Sequence, residues 1–308
     1  MVGKRTAVVP CLAALMAGAV GAAPAGARGS DGGYPGGESR HDPAAVRTAA
    51  GGEHHQDGVV RGHGNDGARI TVRDLLQQTS GIYDDIDDPE VRDRLLNHFD
   101  QNRYDATPPS RLVATAMRHA PLCTPPPHGS PHRWAYSNTN YLPAAMIAEK
   151  AGGADWRQLV EHRIIGPHER VTIDGPGGVP EDLTEQSYQH TADSAVVSTP
   201  SDLDRFFRAL AGGRLLPAEQ WALMRRTVPY DDLPIPPAGE QGGYGLGLRV
   251  VPLTCGGVYY AHEGDGFGVY GGPAVTVSVT STTALVDEDR LDRAVQTLTD
   301  HVLCAPRS

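Results

Sequence analysis

The segment 134–141 places a phenol, a hydroxyl and a carboxamide side by side, immediately before an apolar helical pattern. It reads Trp-Ala-Tyr-Ser-Asn-Thr-Asn-Tyr, so these groups belong to Tyr136, Ser137 and Asn138. A phenol and a hydroxyl can transfer protons, and a carboxamide can both donate and accept hydrogen bonds. The segment is therefore a candidate site for proton transfer and amide recognition. The alternative is a purely structural role, in which these polar residues precede and cap the start of a helix.

Other well-known site patterns are missing from the sequence. It contains no G-x-S-x-G turn, no H-E-x-x-H, no C-x-x-C, no phosphate-binding loop and no G-x-G-x-x-G before a helix. We therefore predict neither a metal nor a cofactor. The formal charge of −10 argues against a nucleic-acid partner.

An acidic run lies at 82–94, with carboxylates at Asp84, Asp85, Asp87, Asp88 and Glu90. Carboxylates at close spacing are potential calcium ligands. Runs of like charge are more often solvated, so the favoured prediction is an exposed loop with no metal.

Apolar residues recur at helical spacing in several segments. The predicted faces are Val72, Leu75 and Leu76; Leu112, Val113 and Met117; Leu142, Ala145 and Met146; Trp156, Leu159, Val160 and Ile164; Leu203, Phe206, Phe207 and Leu210; and Leu291, Val295, Leu298 and Val302. Thr71 is a candidate N-cap for the first, and Gly152-Gly153 is a stop signal for the third.

The residue pattern changes after Gly242, where runs of β-branched and aromatic residues are separated by glycines typical of turns. We predict strands at 244–251, 258–262, 274–280 and 283–286. Helices first, then hairpin-linked strands, then a closing helix indicate an α+β protein with an antiparallel sheet.

The N-terminal region divides into two parts before the folded domain. Residues 1–27 have a basic start, an apolar run and the small residues Ala25-Gly26-Ala27, which is the pattern of a secretory signal peptide. The apolar run is about 15 residues, which is short of the ~20 that a membrane span needs. Residues 28–57 are rich in Gly and His with few large apolar residues, so we predict disorder there and one domain over 58–308. We expect the protein to be secreted.

Export makes a disulfide possible among Cys123, Cys255 and Cys304. Cys255 and Cys304 are the favoured pair, because Cys255 precedes a predicted strand and Cys304 ends the last predicted helix. The alternative is that all three cysteines are reduced.

Four motifs in order resemble the serine β-lactamase and penicillin-binding superfamily, in its branch of class C β-lactamases and secreted D-alanyl-D-alanine carboxypeptidases. They are Ile70-Thr71-Val72-Arg73-Asp74-Leu75-Leu76 with Thr79-Ser80-Gly81-Ile82, Tyr136-Ser137-Asn138, Ser198-Thr199 with the helix after it, and Tyr244-Gly245-Leu246-Gly247-Leu248 followed by His262-Glu263-Gly264. The resemblance runs from about residue 58 to residue 304. It implies the β-lactamase/transpeptidase-like fold, an antiparallel sheet flanked by helices plus an all-helical half.

The resemblance also implies residue roles. Tyr136 would be the general base or a proton shuttle, and Ser137 and Asn138 would hold the substrate. His262 and Gly264 would line an edge strand that pairs with the substrate backbone. The implied partners are D-alanyl peptides or β-lactams, and we expect a monomer.

The family's nucleophile is the Ser of an S-x-x-K motif, and this sequence has none. Its two lysines are Lys4 and Lys150, and the residues three positions earlier are Met1 and Ile147. We therefore expect the N-terminal part of the fold to be incomplete, Tyr136 to be a poor base at neutral pH, and acyl transfer to be slight or absent. Two alternatives stay open: a hydrolase that uses another serine, Ser137 or Ser80, and a non-catalytic module that binds peptidoglycan peptides. The sequence does not choose between carboxypeptidase, esterase and β-lactamase ancestry.

Overall fold

A computed structural model describes residues 59–98, 107–123, 134–165, 192, 200–229, 242–264, 269–272, 275–278 and 288–305. The predicted leader at 1–27, the segment 28–57, Ser198-Thr199 and the predicted strand at 283–286 lie outside the described residues. The predicted α+β class is confirmed, since a set of helices precedes an antiparallel sheet and a long helix follows it.

The six predicted apolar faces lie on helices in the predicted order, whereas α2 lies within the acidic run that was predicted to be a loop, and short turns of 3-10 and π-helix lie between the helices. They are α1 (Val72–Leu76), α2 (Pro89–Leu96), α3 (Pro109–Ala116), α4 (Tyr141–Gly152), α5 (Trp156–Val160), α6 (Pro200–Ala211), α7 (Ala218–Met224) and α8 (Glu288–Cys304). Helix α4 packs on α1, α3 and α5, whereas α6 and α8 pack on the sheet.

The strands form a small hairpin and a five-stranded antiparallel meander. They are β1 (Arg61–Gly62), β2 (Asn65–Asp66), β3 (Gly243–Tyr244), β4 (Arg249–Pro252), β5 (Val258–Gly264), β6 (Val269–Gly272) and β7 (Val275–Ser278). The order β3-β4-β5-β6-β7 follows the chain. Strand β6 was not predicted, because its glycines weaken the alternating pattern on which a strand prediction depends.

Local signals explain where two site-bearing helices begin or end. Thr71 caps α1 in a reciprocal box, since its Oγ1 accepts from Asp74 N and Asp74 Oδ2 accepts from Thr71 N. Helix α4 stops at Gly153, which has a positive φ of 67° that glycine adopts without a steric penalty. Both predicted boundaries are confirmed.

The core joins the helices to the first hairpin of the sheet. Its fully buried members include Leu76, Val113, Leu142, Leu210, Met224 and Leu248. Two backbone bonds cross this boundary, from Gly247 N to the carbonyl of Leu76 at 2.8 Å and from Leu246 N to the carbonyl of Met224 at 2.9 Å. The segment after α1 is thereby attached to the sheet.

The acidic run is not the predicted exposed loop. Residues Asp85–Asp87 form a 3-10 turn, Asp88 caps α2, and Asp84, Asp85 and Asp88 are buried at 6%, 4% and 4% exposure. Each carboxylate has partners brought from elsewhere in the fold, which local composition does not reveal. The described part of the chain contains no group of three or more His, Cys, Asp or Glu side chains arranged to hold a metal.

A disulfide joins Cys255 to Cys304, 49 residues apart, which is the pair favoured from the sequence. It ties the β4–β5 turn to the end of α8. Thr254 reinforces the connection, since its backbone N and its Oγ1 both donate to the Asp300 carboxylate. Among the described helices, none is both long and apolar enough to cross a bilayer.

Candidate active site

Asn138 is held from two directions by one buried carboxylate. Asp84 Oδ2 accepts from the backbone N of Asn138 at 3.0 Å and from its side-chain Nδ2 at 2.9 Å. Asp84 Oδ1 accepts from Ile86 N at 3.3 Å. Burial raises the pKa of Asp84 to about 7, with the charge of Asp85 adding to the increase and the hydrogen bonds from Asn138 and Ile86 opposing it. Sequence reasoning missed this support, since Asp84 lies 54 residues from Asn138.

The neighbouring carboxylate fixes the next residue of the same turn. Thr139 Oγ1 donates to Asp85 Oδ1 at 2.6 Å and accepts from Asp85 N at 2.8 Å. Burial raises the pKa of Asp85 above its ordinary value, while the bond from Thr139 lowers it. The adjacent residues Asp84 and Asp85 therefore bind the adjacent residues Asn138 and Thr139, which lie just before the start of α4.

Gln78 holds the other side of this entrance. Its Oε1 accepts from Ser137 N at 3.0 Å and from Asn140 Nδ2 at 2.5 Å, and its carbonyl accepts from Ala135 N at 2.9 Å. Ser80 Oγ donates to Asn140 Oδ1 at 2.5 Å. Gln78 adopts a left-handed backbone with φ of 61°, an uncommon conformation for a residue with a Cβ. The turn after α1 is thus shaped to position the segment 135–140.

Tyr136 stands at the edge of an aromatic cluster. Its ring lies 6.4 Å from the rings of both Tyr141 and Tyr244, and the ring of Trp134 lies 5.6 Å from that of Tyr244, tilted by 53°. Tyr136 is partly exposed, and its hydroxyl makes a long 3.5 Å contact with Asn138 Oδ1. A contact of this length is weak, so a ligand group can displace it.

His262 lies behind the cluster and is joined to it by hydroxyl groups. Tyr141 Oη and Tyr244 Oη share a hydrogen bond of 3.0 Å, and Tyr244 Oη lies 3.3 Å from His262 Nε2. Burial and the charge of Arg249 lower the pKa of His262 to about 3, so the imidazole is neutral at physiological pH. Burial also raises the pKa of Tyr244 well above its ordinary value. The row of polar atoms is consequently uncharged at neutral pH.

Comparison with known proteins identifies the family. A β-lactamase family model matches residues 41–298. A D-stereospecific amidohydrolase from Streptomyces sp. is 30% identical, with 90% of this chain and 79% of that chain covered and a TM-score of 0.63. The chain belongs to the β-lactamase family.

Two more distant members of the β-lactamase fold support the architecture alone. A D-amino acid amidase from Ochrobactrum anthropi SV3 superposes with a TM-score of 0.54 at 19% identity, covering 98% of this chain and 87% of that one. An octameric penicillin-binding protein homologue from Pyrococcus abyssi gives a TM-score of 0.58 at 17% identity, covering 96% of this chain and 66% of that one. The β-lactamase/transpeptidase-like fold predicted from the motifs is therefore confirmed.

The structure brings together three of the five site residues that the β-lactamase resemblance implied. Tyr136 and Asn138 are in contact, and Tyr244 connects Tyr136 to His262 through ring and hydroxyl contacts. Ser137 differs from the prediction. It is fully buried, and its Oγ has no hydrogen-bond partner among the described residues, so it does not line a surface that a ligand reaches.

The open edge predicted at His262 and Gly264 is confined to the end of β5. Strand β5 is an interior strand, with β4 on one side and β6 on the other. Strand β4 ends at the pair Arg249–Ala261, however, so His262 to Gly264 extend beyond it and are paired with Gly271 to Val269 of β6. Among the described strands, these last three residues of β5 have a neighbour on one side only. Gly264 is therefore on the only part of β5 whose second edge no described strand covers.

Neither serine considered as an alternative nucleophile is presented for attack. Ser80 is 1% exposed, donates to Asn140 and accepts from Ile82 N at 3.0 Å, so it stabilises the turn. Ser137 is 0% exposed. Lys150 lies exposed in the last turn of α4, at the opposite end of this helix from Tyr141. No described residue takes the place of the family's Ser–Lys pair.

Proposed function

We propose that this protein binds D-configured amino acid amides or D-alanyl peptides at the Tyr136–Asn138 site and performs little or no acyl transfer on them. One observation carries the proposal. A buried framework holds the partly exposed Tyr136 and Asn138 in contact, while both nearby serines are buried and held away from solvent. Among the described residues, the candidate recognition groups are held in place, and neither serine beside them is accessible as a nucleophile.

The choice of ligand class comes from family membership. The 30% identical relative is described as D-stereospecific, and the Ochrobactrum proteins are described as D-amino acid amidases. D-alanyl peptides share the D-configured residue next to an amide. The predicted signal peptide and the disulfide support an exported protein, where such peptides of the cell wall occur. The monomeric state remains a prediction.

The absence of turnover rests on the sequence and on acid–base chemistry. A serine hydroxyl is a weak nucleophile unless a base removes its proton, and the family uses a lysine one helical turn away for this task. The chain has no serine three residues before either lysine. The buried Ser80 and Ser137 have no lysine or histidine among their described hydrogen-bond partners.

Calorimetry with D- and L-phenylalanine amide tests the proposal on the full chain. We expect the D-enantiomer to bind more tightly, and an assay for released ammonia to show no hydrolysis. Asn138→Ala should weaken binding about tenfold, the effect of losing one hydrogen bond. Asn97→Ala, the same substitution at an exposed position after α2, is the matched control and should bind normally. Equal binding of both enantiomers, or steady ammonia release, would contradict the proposal.

A further inference from the structure

Asp84 determines which atom of the Asn138 amide faces Tyr136. A carboxylate oxygen accepts hydrogen bonds and cannot donate them, so the side-chain atom at 2.9 Å from Asp84 Oδ2 must be the NH₂ nitrogen. The carbonyl oxygen of the same amide then lies on the other side, 3.5 Å from Tyr136 Oη. Without Asp84, both orientations of the planar amide would satisfy the local shape.

This orientation has a chemical consequence at the ligand-facing side. Asn138 Oδ1 accepts only, so a ligand group that replaces the weak Tyr136 contact must carry a donor. A carboxamide N–H meets that requirement, and an ester oxygen does not. Leaving a partly buried acceptor without a donor should weaken binding about tenfold.

We propose that Asp84 is a positioning residue that makes Asn138 present its carbonyl oxygen to the ligand, so that the site selects amides over the corresponding esters. The ligand class rests on the proposed function, but the orientation of Asn138 does not. Asp84 is 6% exposed and touches Asn138 rather than the ligand.

The hydrogen bonding of Asp84 to the Asn138 amide should depend on pH, because of the groups that surround this carboxylate. On its own turn, Asp85 is the carboxylate whose charge acts on it. The turn Asn138–Asn140 brings only neutral side chains, with the titratable Tyr136 before it. Cationic side chains lie on α3 and just after it. Arg111 is exposed, and Arg118 and His119 are bound to Asp88, the N-cap of α2. No described cation is bonded to Asp84, so protonation near pH 7 should weaken its hold on the Asn138 amide.

The first measurement needs no ligand. The chain has five asparagines, so selective ¹⁵N-asparagine labelling gives five side-chain NH₂ signals, and Asn138→Ala assigns the relevant one. We expect the Asn138 signal to titrate with a midpoint near pH 7. Asn140, in the same turn but bonded to neutral Gln78, is the internal control and should move less. Asp84→Asn should abolish the transition, and Asp87→Asn, the same change at an exposed neighbour, should preserve it.

The second measurement compares D-phenylalanine amide with D-phenylalanine methyl ester at pH 8. Wild type should favour the amide about tenfold, Asp84→Ala should bind both equally, and Asp84→Asn should retain the preference because its carbonyl can accept from Asn138. A merely structural role would weaken both ligands together and leave the ratio unchanged.

The outcomes separate the two proposals. If wild type binds neither ligand, the proposed function fails, and the Asn138 titration alone decides the orientation. If the Asn138 signal does not titrate, if it still titrates in Asp84→Asn, or if Asp84→Ala keeps the amide preference, the positioning role is overturned.

Discussion

Tyr244 Oη lies 3.3 Å from the Nε2 of the buried His262, so a hydroxyl group is a hydrogen-bond partner of this histidine within the fold. Burial and the charge of Arg249 both disfavour the charged form of His262, and the pKa of His262 is lowered to about 3. The residue that the family resemblance places on the substrate strand also anchors an uncharged row of side chains behind Tyr136.

The stability of the protein should depend on His262 below pH 6.5. In the unfolded chain this histidine binds a proton near pH 6.5, whereas in the fold it does so near pH 3, so folding stability is complete above 6.5 and is lost as pH falls. His262→Gln cannot titrate. Between pH 6.5 and 4 the wild type should lose about 3 kcal/mol more unfolding free energy than the variant. Urea denaturation of both proteins across this interval measures the difference, and parallel curves would refute the assignment.

A methyl group at Gly81 should disrupt the turn that carries Ser80. Gly81 has φ of +77°, and a Cβ there would lie 2.0 Å from the carbonyl oxygen of Cys123. We expect Gly81→Ala to lower the free energy of unfolding by about 3 kcal/mol or more, from backbone strain and a clash with rigid backbone.

Gly153 provides the matched control for this substitution. Its φ is +67°, but a Cβ would meet nothing within 4 Å. Gly153→Ala should therefore cost only about 1 kcal/mol. An equal decrease in the free energy of unfolding of the two variants would show that the close approach of residue 81 to Cys123 does not contribute to the cost.

Removal of the disulfide should destabilise the connection between α8 and the sheet. Opening a closed loop of 49 residues costs about 4 kcal/mol on the chain-entropy estimate. We expect this loss in the Cys255→Ala/Cys304→Ala double variant, measured by denaturant unfolding. Wild type with reductant should match the variant, and the variant should not respond to reductant. A reductant effect on the variant would point to Cys123 instead.

The sequence predicted the elements whose signals are local. Thr71 with Asp74 and the glycine at 153 mark helix boundaries by short-range bonds and backbone geometry, and both predictions are confirmed. Tyr136 and Asn138 were singled out by the same kind of local signal, since they precede a helix start, and their roles stay predictions.

The supports of the site were not predictable in this way. Asp84 and Gln78 meet Asn138 and Ser137 across 54 and 59 residues, and only the packed fold shows that these polar side chains are buried and bonded. The acidic run was predicted to be solvated because charge runs usually are. Burial of Ser137 depends likewise on long-range packing, which its position beside Tyr136 does not reveal.

Intact mass of the purified chain after incubation with a penicillin tests the central claim, a β-lactamase-family site that binds ligand groups without an acylated serine. The account predicts no covalent mass gain on protein shown to be folded by circular dichroism. A stable gain of one drug mass, abolished by prior denaturation, would contradict it, and peptide mapping would then identify the nucleophile.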